Sequence, residues 1–213
     1  MLKMKAQELF SNFLKLKVKI VPCVVSFLKT KIATQDSRLL WYNGFVGQPK
    51  QQKERNMQAL YFDMDGTIAN LYDVPHWKTQ LENENVAPYE IAAPLCNMDD
   101  LAQVVESFRA LGIVVGVVSW GAMNGSKEYT RRVKRAKMEW CKRHGLYFSE
   151  FHVVKYGTPK HSVTRIKHDA ILIDDNSDVR NAWTIGGTID ANLGVVEELC
   201  RLLKTLDPGA GIA

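Results

Sequence analysis

Cysteine is scarce and unpatterned in this chain of 213 residues: Cys23, Cys96, Cys141 and Cys200 form no CxxC and no histidine-paired spacing. That scarcity excludes a zinc ribbon and a disulfide framework. Free thiols suit a reducing cytosol, so a cytoplasmic location is expected. The five histidines show no HxxxH or HExxH spacing, and none stands out as a metal ligand. Long hydrophobic runs are missing too. The longest, Ile20 to Leu28, contains Pro22 and Ser26 and falls well short of the roughly 20 residues that span a bilayer. No membrane span is expected. With 46% apolar and 24% charged residues, the composition excludes a wholly disordered or collagen-like chain and fits one ordinary globular domain with a sizeable core.

Negative charge is scarce only at one end. Residues 1–56 hold 11 Lys and Arg against 3 Asp and Glu, whereas residues 57–213 hold 17 against 20. The net charge of +5 therefore belongs to the N-terminal quarter. Within it, Leu2, Ala6, Leu9, Phe10 and Phe13 recur at helical spacing, and Leu14, Leu16, Val18 and Ile20 then alternate with Lys15, Lys17 and Lys19. The segment lacks a cleavage signature after a clean apolar stretch. It reads as a basic arm, or an extension upstream of a domain that begins near Met57. Gly47 to Asn56 (GQPKQQKERN) has linker composition and marks the boundary.

From Ala59 onward the pattern turns into strands alternating with helices. Ala59 to Phe62, Ile113 to Val118 and Ala170 to Ile173 are continuous apolar runs, as expected of parallel strands buried on both faces. Asn97 can cap a helix that presents Leu101, Val104, Phe108 and Leu111 on one face, with Gly112 stopping it. Ser126 can cap a second, with Tyr129, Val133, Ala136 and Trp140 inward and Gly145 as terminator. A weaker strand at Phe151 to Val154 and a helix from Leu193 to Leu206 complete the set. The expected fold is α/β: a three-layer, Rossmann-like parallel sheet over residues 57–213.

Each of the three apolar strands delivers a polar group at its carboxyl end, where ligands bind in open α/β sheets. They are Asp63-Met64-Asp65-Gly66-Thr67, Ser119, and Asp174-Asp175. Two carboxylates at i and i+2 past a strand point the same way, and Gly66 lets the chain turn away. A bare DxD is weak, but DxDGT followed by a strand-end Ser and a strand-end DD is far more specific. In these motifs residues 57–213 resemble the haloacid dehalogenase-like phosphohydrolase superfamily. Asp63 to Thr67 matches its first motif, Ser119 its second, and Ile171 to Asp175 (ILIDD) its fourth. The third is a lysine before the last strand: Lys160 is the choice, with Lys155 as the alternate. The run IDDNSDVRNAW also resembles that of 5′(3′)-deoxyribonucleotidases, a softer likeness.

The resemblance implies a phosphomonoester hydrolase with magnesium as cofactor. Asp63 would be the nucleophile that forms an aspartyl-phosphate, and Asp65 the acid and base that serves the leaving group and then water. Asp63, the Met64–Asp65 backbone region and Asp175 would hold the metal, with Asp174 in support and Asp178 orienting metal waters. A dianionic ester needs its charge neutralised before attack. Thr67, Ser119 and backbone N–H groups around Trp120 are placed to bind phosphoryl oxygens, and Lys160 adds a fixed positive charge. Adjacent in a strand, Asp174 and Asp175 are not expected to face a metal in the same way.

Blander readings accompany these. Asp63 and Asp65 alone would suit a turn, Ser119 a cap, and Asp174 or Asp175 could cap a helix through Val179 to Trp183. Lys160 could equally be a solvated lysine. Arg131, Arg132, Lys134, Arg135 and Lys137 read as the wet face of an amphipathic helix. The helical-bundle cap of the deoxyribonucleotidases does not fit here. Residues 69–94 leave room for one short helix around Trp77 to Leu81 and little more, so a minimal or absent cap and an open site are expected. Tyr72, Trp77 and Trp120 near the mouth read as packing residues, with base stacking as the alternative. The expected partner is a small phosphomonoester. Two other functions compete: a nucleic-acid end-processing phosphatase gripping the polymer through its basic arm, and a non-catalytic interaction protein on the same fold.

Overall fold

The computed structural model describes residues 57–206. The basic arm expected over residues 1–56 lies outside the described residues. Five parallel strands form the central sheet: β1 (Ala59–Phe62), β4 (Val114–Trp120), β5 (Glu150–Val154), β6 (Ala170–Asp174) and β7 (Thr188–Asp190), in the order β5-β4-β1-β6-β7. The three continuous apolar runs became the three central strands. Two short strands, β2 (Ala69–Asn70) and β3 (Ala93–Pro94), pair antiparallel outside it.

Alternation along β1 explains the layers. Leu60 and Phe62 face one core, shared with Val115, Val117 and Ile173, while Ala59 and Tyr61 face another, shared with Val118, Ala170 and Leu172. The first core is covered by α3 (Met98–Ala110) and α6 (Val195–Leu206), which pack on each other. The second is covered by the short helix α5 (Ser177–Asn181) and by Val163, Ile166, Trp183 and Ile185. Helices therefore flank the sheet unequally, in a Rossmann-like α/β arrangement. Truncating Phe108, fully buried in the first core, costs about 3–5 kcal/mol.

The expected caps are present. Asn97 accepts from the amides of Asp99 and Asp100 ahead of α3, and Ser126 Oγ accepts from Tyr129 N ahead of α4 (Lys127–Arg143). Gly112 and Gly145 follow their helices at positive φ. One capping expectation is corrected: α5 is capped by Asn176, whose side chain accepts from the amides of Asp178 and Val179, and not by Asp174 or Asp175.

The cover over the sheet's carboxyl edge is larger than expected. The short helix near Trp77 is there as α1 (Trp77–Glu82), but a second helix, α2 (Ala87–Ile91), follows it. Leu71, Leu81 and Tyr89 from this segment pack on Tyr129, Val133 and Ala136 of α4. Glu84 ties the two together, accepting from the backbone and hydroxyl of Ser126 at 2.7 and 3.0 Å. None of the helices among the described residues is long and apolar enough to cross a membrane. No disulfide joins the described cysteines Cys96, Cys141 and Cys200.

Candidate active site

The loop after β1 begins the site. Phe62 and Met64 are buried in the core, so Asp63 and Asp65 project from the other side of the chain. Asp63 sits level with the end of β6, its amide donating to Ile173 O at 2.8 Å. Gly66 then turns the chain with φ of +82°, and a Cβ there would lie 2.5 Å from Asp175 Oδ2. Glycine is required at this position by both conformation and space.

Two buried lysines divide the carboxylates between them. Lys160 comes from a single turn, Lys160–Ser162, between β5 and β6. Its Nζ lies 2.6 Å from Asp63 Oδ1 and 2.6 Å from Asp174 Oδ2. Burial works to lower its pKa, but the two carboxylates outweigh that and hold it above the ordinary lysine value. The solvated reading of Lys160 is thereby overturned. Lys155, the alternate, is exposed.

The second lysine was assigned to the wrong face by the sequence. Lys137 of α4 is fully buried. Its Nζ donates to Asp65 Oδ2 at 2.6 Å, Ser119 Oγ at 2.8 Å and Trp120 O at 2.9 Å. Arg131, Arg132, Lys134 and Arg135 are exposed as expected. The signal was present: Lys137 falls four residues after Val133 and eight after Tyr129, inside the stripe that faces the core.

Asp63, Asp174 and Asp175 bring ligand oxygens within 4.8 Å of one another. The adjacency of Asp174 and Asp175 does not keep them apart, because β6 ends at Asp174 and Asp175 already belongs to the turn. Burial, followed by the charge of Asp63, pushes Asp174 up to about 6 and raises Asp175. Three carboxylates facing one ammonium leave an excess of negative charge and hard oxygen donors, which suits a divalent cation such as magnesium. The Asp65 carboxylate stands apart from this cluster on Lys137. Burial pushes it up to about 6 against the pull of that lysine.

The remaining expected residues are placed as follows. Thr67 donates to Asp175 Oδ1 and accepts from Asp175 N, both at 3.2 Å, so its hydroxyl orients a carboxylate. Ser119 is fully buried. Asp178 is exposed. The indole N–H of Trp120 donates to Thr158 O at 2.8 Å, and its ring lies 5.3 Å from Lys160 Nζ. Behind β6, Arg180 donates to Asp174 O at 2.8 Å and Asn192 to Asp175 O at 3.2 Å. The sequence did not single out either of these supports.

Asp63, Asp65, Lys160, Asp174 and Asp175 line one cavity of about 420 Å³. Five aromatic rings are among its walls: Tyr72, Trp77 and Tyr89 of the covering segment, Trp120 at the end of β4 and Tyr156 just after β5. Trp77 packs edge-on against Tyr72 at 5.3 Å, and Trp120 packs at a tilt against Tyr156 at 4.7 Å. Packing and wall-forming roles therefore coincide in these rings. No protein-family model and no curated protein matches the chain.

Proposed function

We propose that the protein is a haloacid dehalogenase-like, magnesium-dependent phosphomonoester hydrolase working through an aspartyl-phosphate at Asp63. The observation that carries this reading is the pairing of Asp63 and Asp65 with separate buried lysines at the mouth of the sheet. Asp63 Oδ1 rests on Lys160, which holds the nucleophile and offers positive charge to phosphoryl oxygens. Asp63 attacks phosphorus while Asp65 gives its proton to the leaving oxygen; Asp65 then takes a proton from the water that releases phosphate. Magnesium, held by Asp63, Asp174 and Asp175, would neutralise the ester and polarise its oxygens. Thr67 and Gly66 keep Asp175 in place for that role. The aromatic walls suit a planar leaving group such as a nucleoside, which makes nucleotides the first substrates to try.

A panel of nucleotides, sugar phosphates and aryl phosphates, run with magnesium and again with EDTA, tests the reading. Hydrolysis that EDTA stops is expected. Absence of turnover on every phosphomonoester would sink it.

A further inference from the structure

A lysine with no exposed surface is costly to keep in a core, and Met or Leu would fill the same volume at no such cost. Lys137 is nevertheless buried in the middle of α4, with an acceptor for each of its three N–H bonds: Asp65 Oδ2, Ser119 Oγ and Trp120 O. On a further side its Nζ lies 4.8 Å from the centroid of the Tyr89 ring. The ammonium is therefore saturated and fixed. It does not line the cavity, whereas Asp65 does.

We propose that Lys137 is a positioning residue that acts through Asp65, fixing the orientation of that carboxyl for proton transfer to the leaving oxygen. This rests on the phosphomonoesterase reading given above. Lys137 holds Oδ2 from the buried side, so the carboxyl cannot rotate freely and its other oxygen is kept for the substrate. The helix that carries it is anchored at both ends of the contact. Ser126 caps its start, and Trp140 donates to Ala92 O at 2.7 Å. In the first step the bond from Asp63 to phosphorus forms and the bond to the leaving oxygen breaks. The proton of Asp65 passes to that oxygen, and the resulting carboxylate stays paired with Lys137. In the second step a water oxygen bonds to phosphorus, its proton goes to Asp65, the Asp63–phosphorus bond breaks, and inorganic phosphate leaves. Lys160 serves the nucleophile and Lys137 the proton carrier.

A poor leaving group needs that proton and a good one does not. The full chain with saturating magnesium is assayed on phenyl phosphate and on a dinitrophenyl phosphate, which differ in how much help the leaving oxygen requires. Lys137→Met, its fold checked by circular dichroism and thermal melting, is expected to lose roughly 10²-fold or more in kcat on phenyl phosphate. Its loss on the dinitrophenyl ester is expected to stay under about tenfold by the same reasoning. On phenyl phosphate the double variant Asp65→Asn/Lys137→Met is expected to be no slower than Asp65→Asn alone, since the lysine acts through that carboxyl. Equal losses on both esters, or additive losses in the double variant, overturn the proposal while leaving the phosphomonoesterase reading intact. If Lys137→Met does not fold, Lys137→Gln takes its place. Failure of both to fold assigns Lys137 to the core and overturns the positioning role. A wild-type chain inactive on both esters overturns the underlying reading and this proposal with it.

Discussion

The two aspartates after β1 stand two residues apart, and each rests on a buried lysine at 2.6 Å, yet the surroundings differ in charge. On the Asp63 side, three clustered carboxylates have one ammonium among them, paired to Asp63 and Asp174. On the Asp65 side, one carboxylate has an ammonium to itself. The first arrangement is short of positive charge and is suited to taking up a divalent cation. The second is balanced and suited to moving a proton. Neighbouring residues of the same type thus acquire different surroundings from which element supplies the lysine: the turn before β6 for one, the middle of α4 for the other.

The contrast can be broken most sharply at Asp63, the proposed nucleophile. Asp63→Asn is expected to lower kcat by at least on the order of 10⁴-fold, measured in steady-state assays on an aryl phosphate. A loss of less than tenfold would assign the chemistry elsewhere.

Lys160→Met tests the metal side next. It leaves Asp63 and Asp174 buried without their cation, a change that costs about 3–5 kcal/mol of stability. Chemical denaturation with and without magnesium checks this, and magnesium is expected to restore part of the loss by binding the folded state. Gly66→Ala should cost less, about 1–3 kcal/mol from its positive φ, and should weaken magnesium binding roughly 10-fold to 100-fold by pushing Asp175 aside. Isothermal titration reads that change.

The charge imbalance also fixes a pH dependence. Asp174 is raised to about 6 from its ordinary 3.8, so the folded state without metal binds that proton more tightly than the unfolded chain. Its own contribution to the stability of the metal-free protein therefore grows as pH falls through 6 toward 4, against the loss at Glu84, Glu150 and Asp190, which are held below their ordinary values. Magnesium needs the carboxylate deprotonated, so the stabilisation it confers is expected to be full above pH 7 and to fade below 6. Melting curves at pH 7.5 and 5.5, with and without magnesium, should show the increment due to magnesium shrinking at the lower pH, and an unchanged increment would contradict this. The smallest effect belongs to Lys134, three residues before Lys137 on the exposed face. Lys134→Ala is expected to change stability by no more than about 0.5 kcal/mol and to leave turnover unchanged.

The central strands were legible because parallel strands buried on both faces must be apolar throughout, and β1, β4 and β6 are. The short edge strand β7 was not, since Thr188 is exposed and only Ile189 and Asp190 are half-buried. The motif residues were legible because Asp63, Asp65, Ser119, Asp174 and Asp175 fall at strand ends, where their side chains must leave the core. Lys137 is hidden by its surroundings in the sequence: four basic neighbours make it look wet, though its position on the Tyr129–Val133 stripe places it inside. Helix α2 escaped for a different reason. Its five residues are too few to show a period, and it is held by packing Tyr89 beneath the cover.

Covalent trapping decides whether Asp63 carries the phosphoryl group. The wild-type chain is mixed with magnesium and an aryl phosphate, quenched within the first turnover, reduced with borohydride and mapped by peptide mass spectrometry. A phosphorylated aspartate is an acyl phosphate, which the reagent reduces to the alcohol. Homoserine is expected at position 63 and none at position 65. Homoserine at position 65, or phosphate release with no trapped residue under conditions that trap a control acyl phosphate, would contradict this.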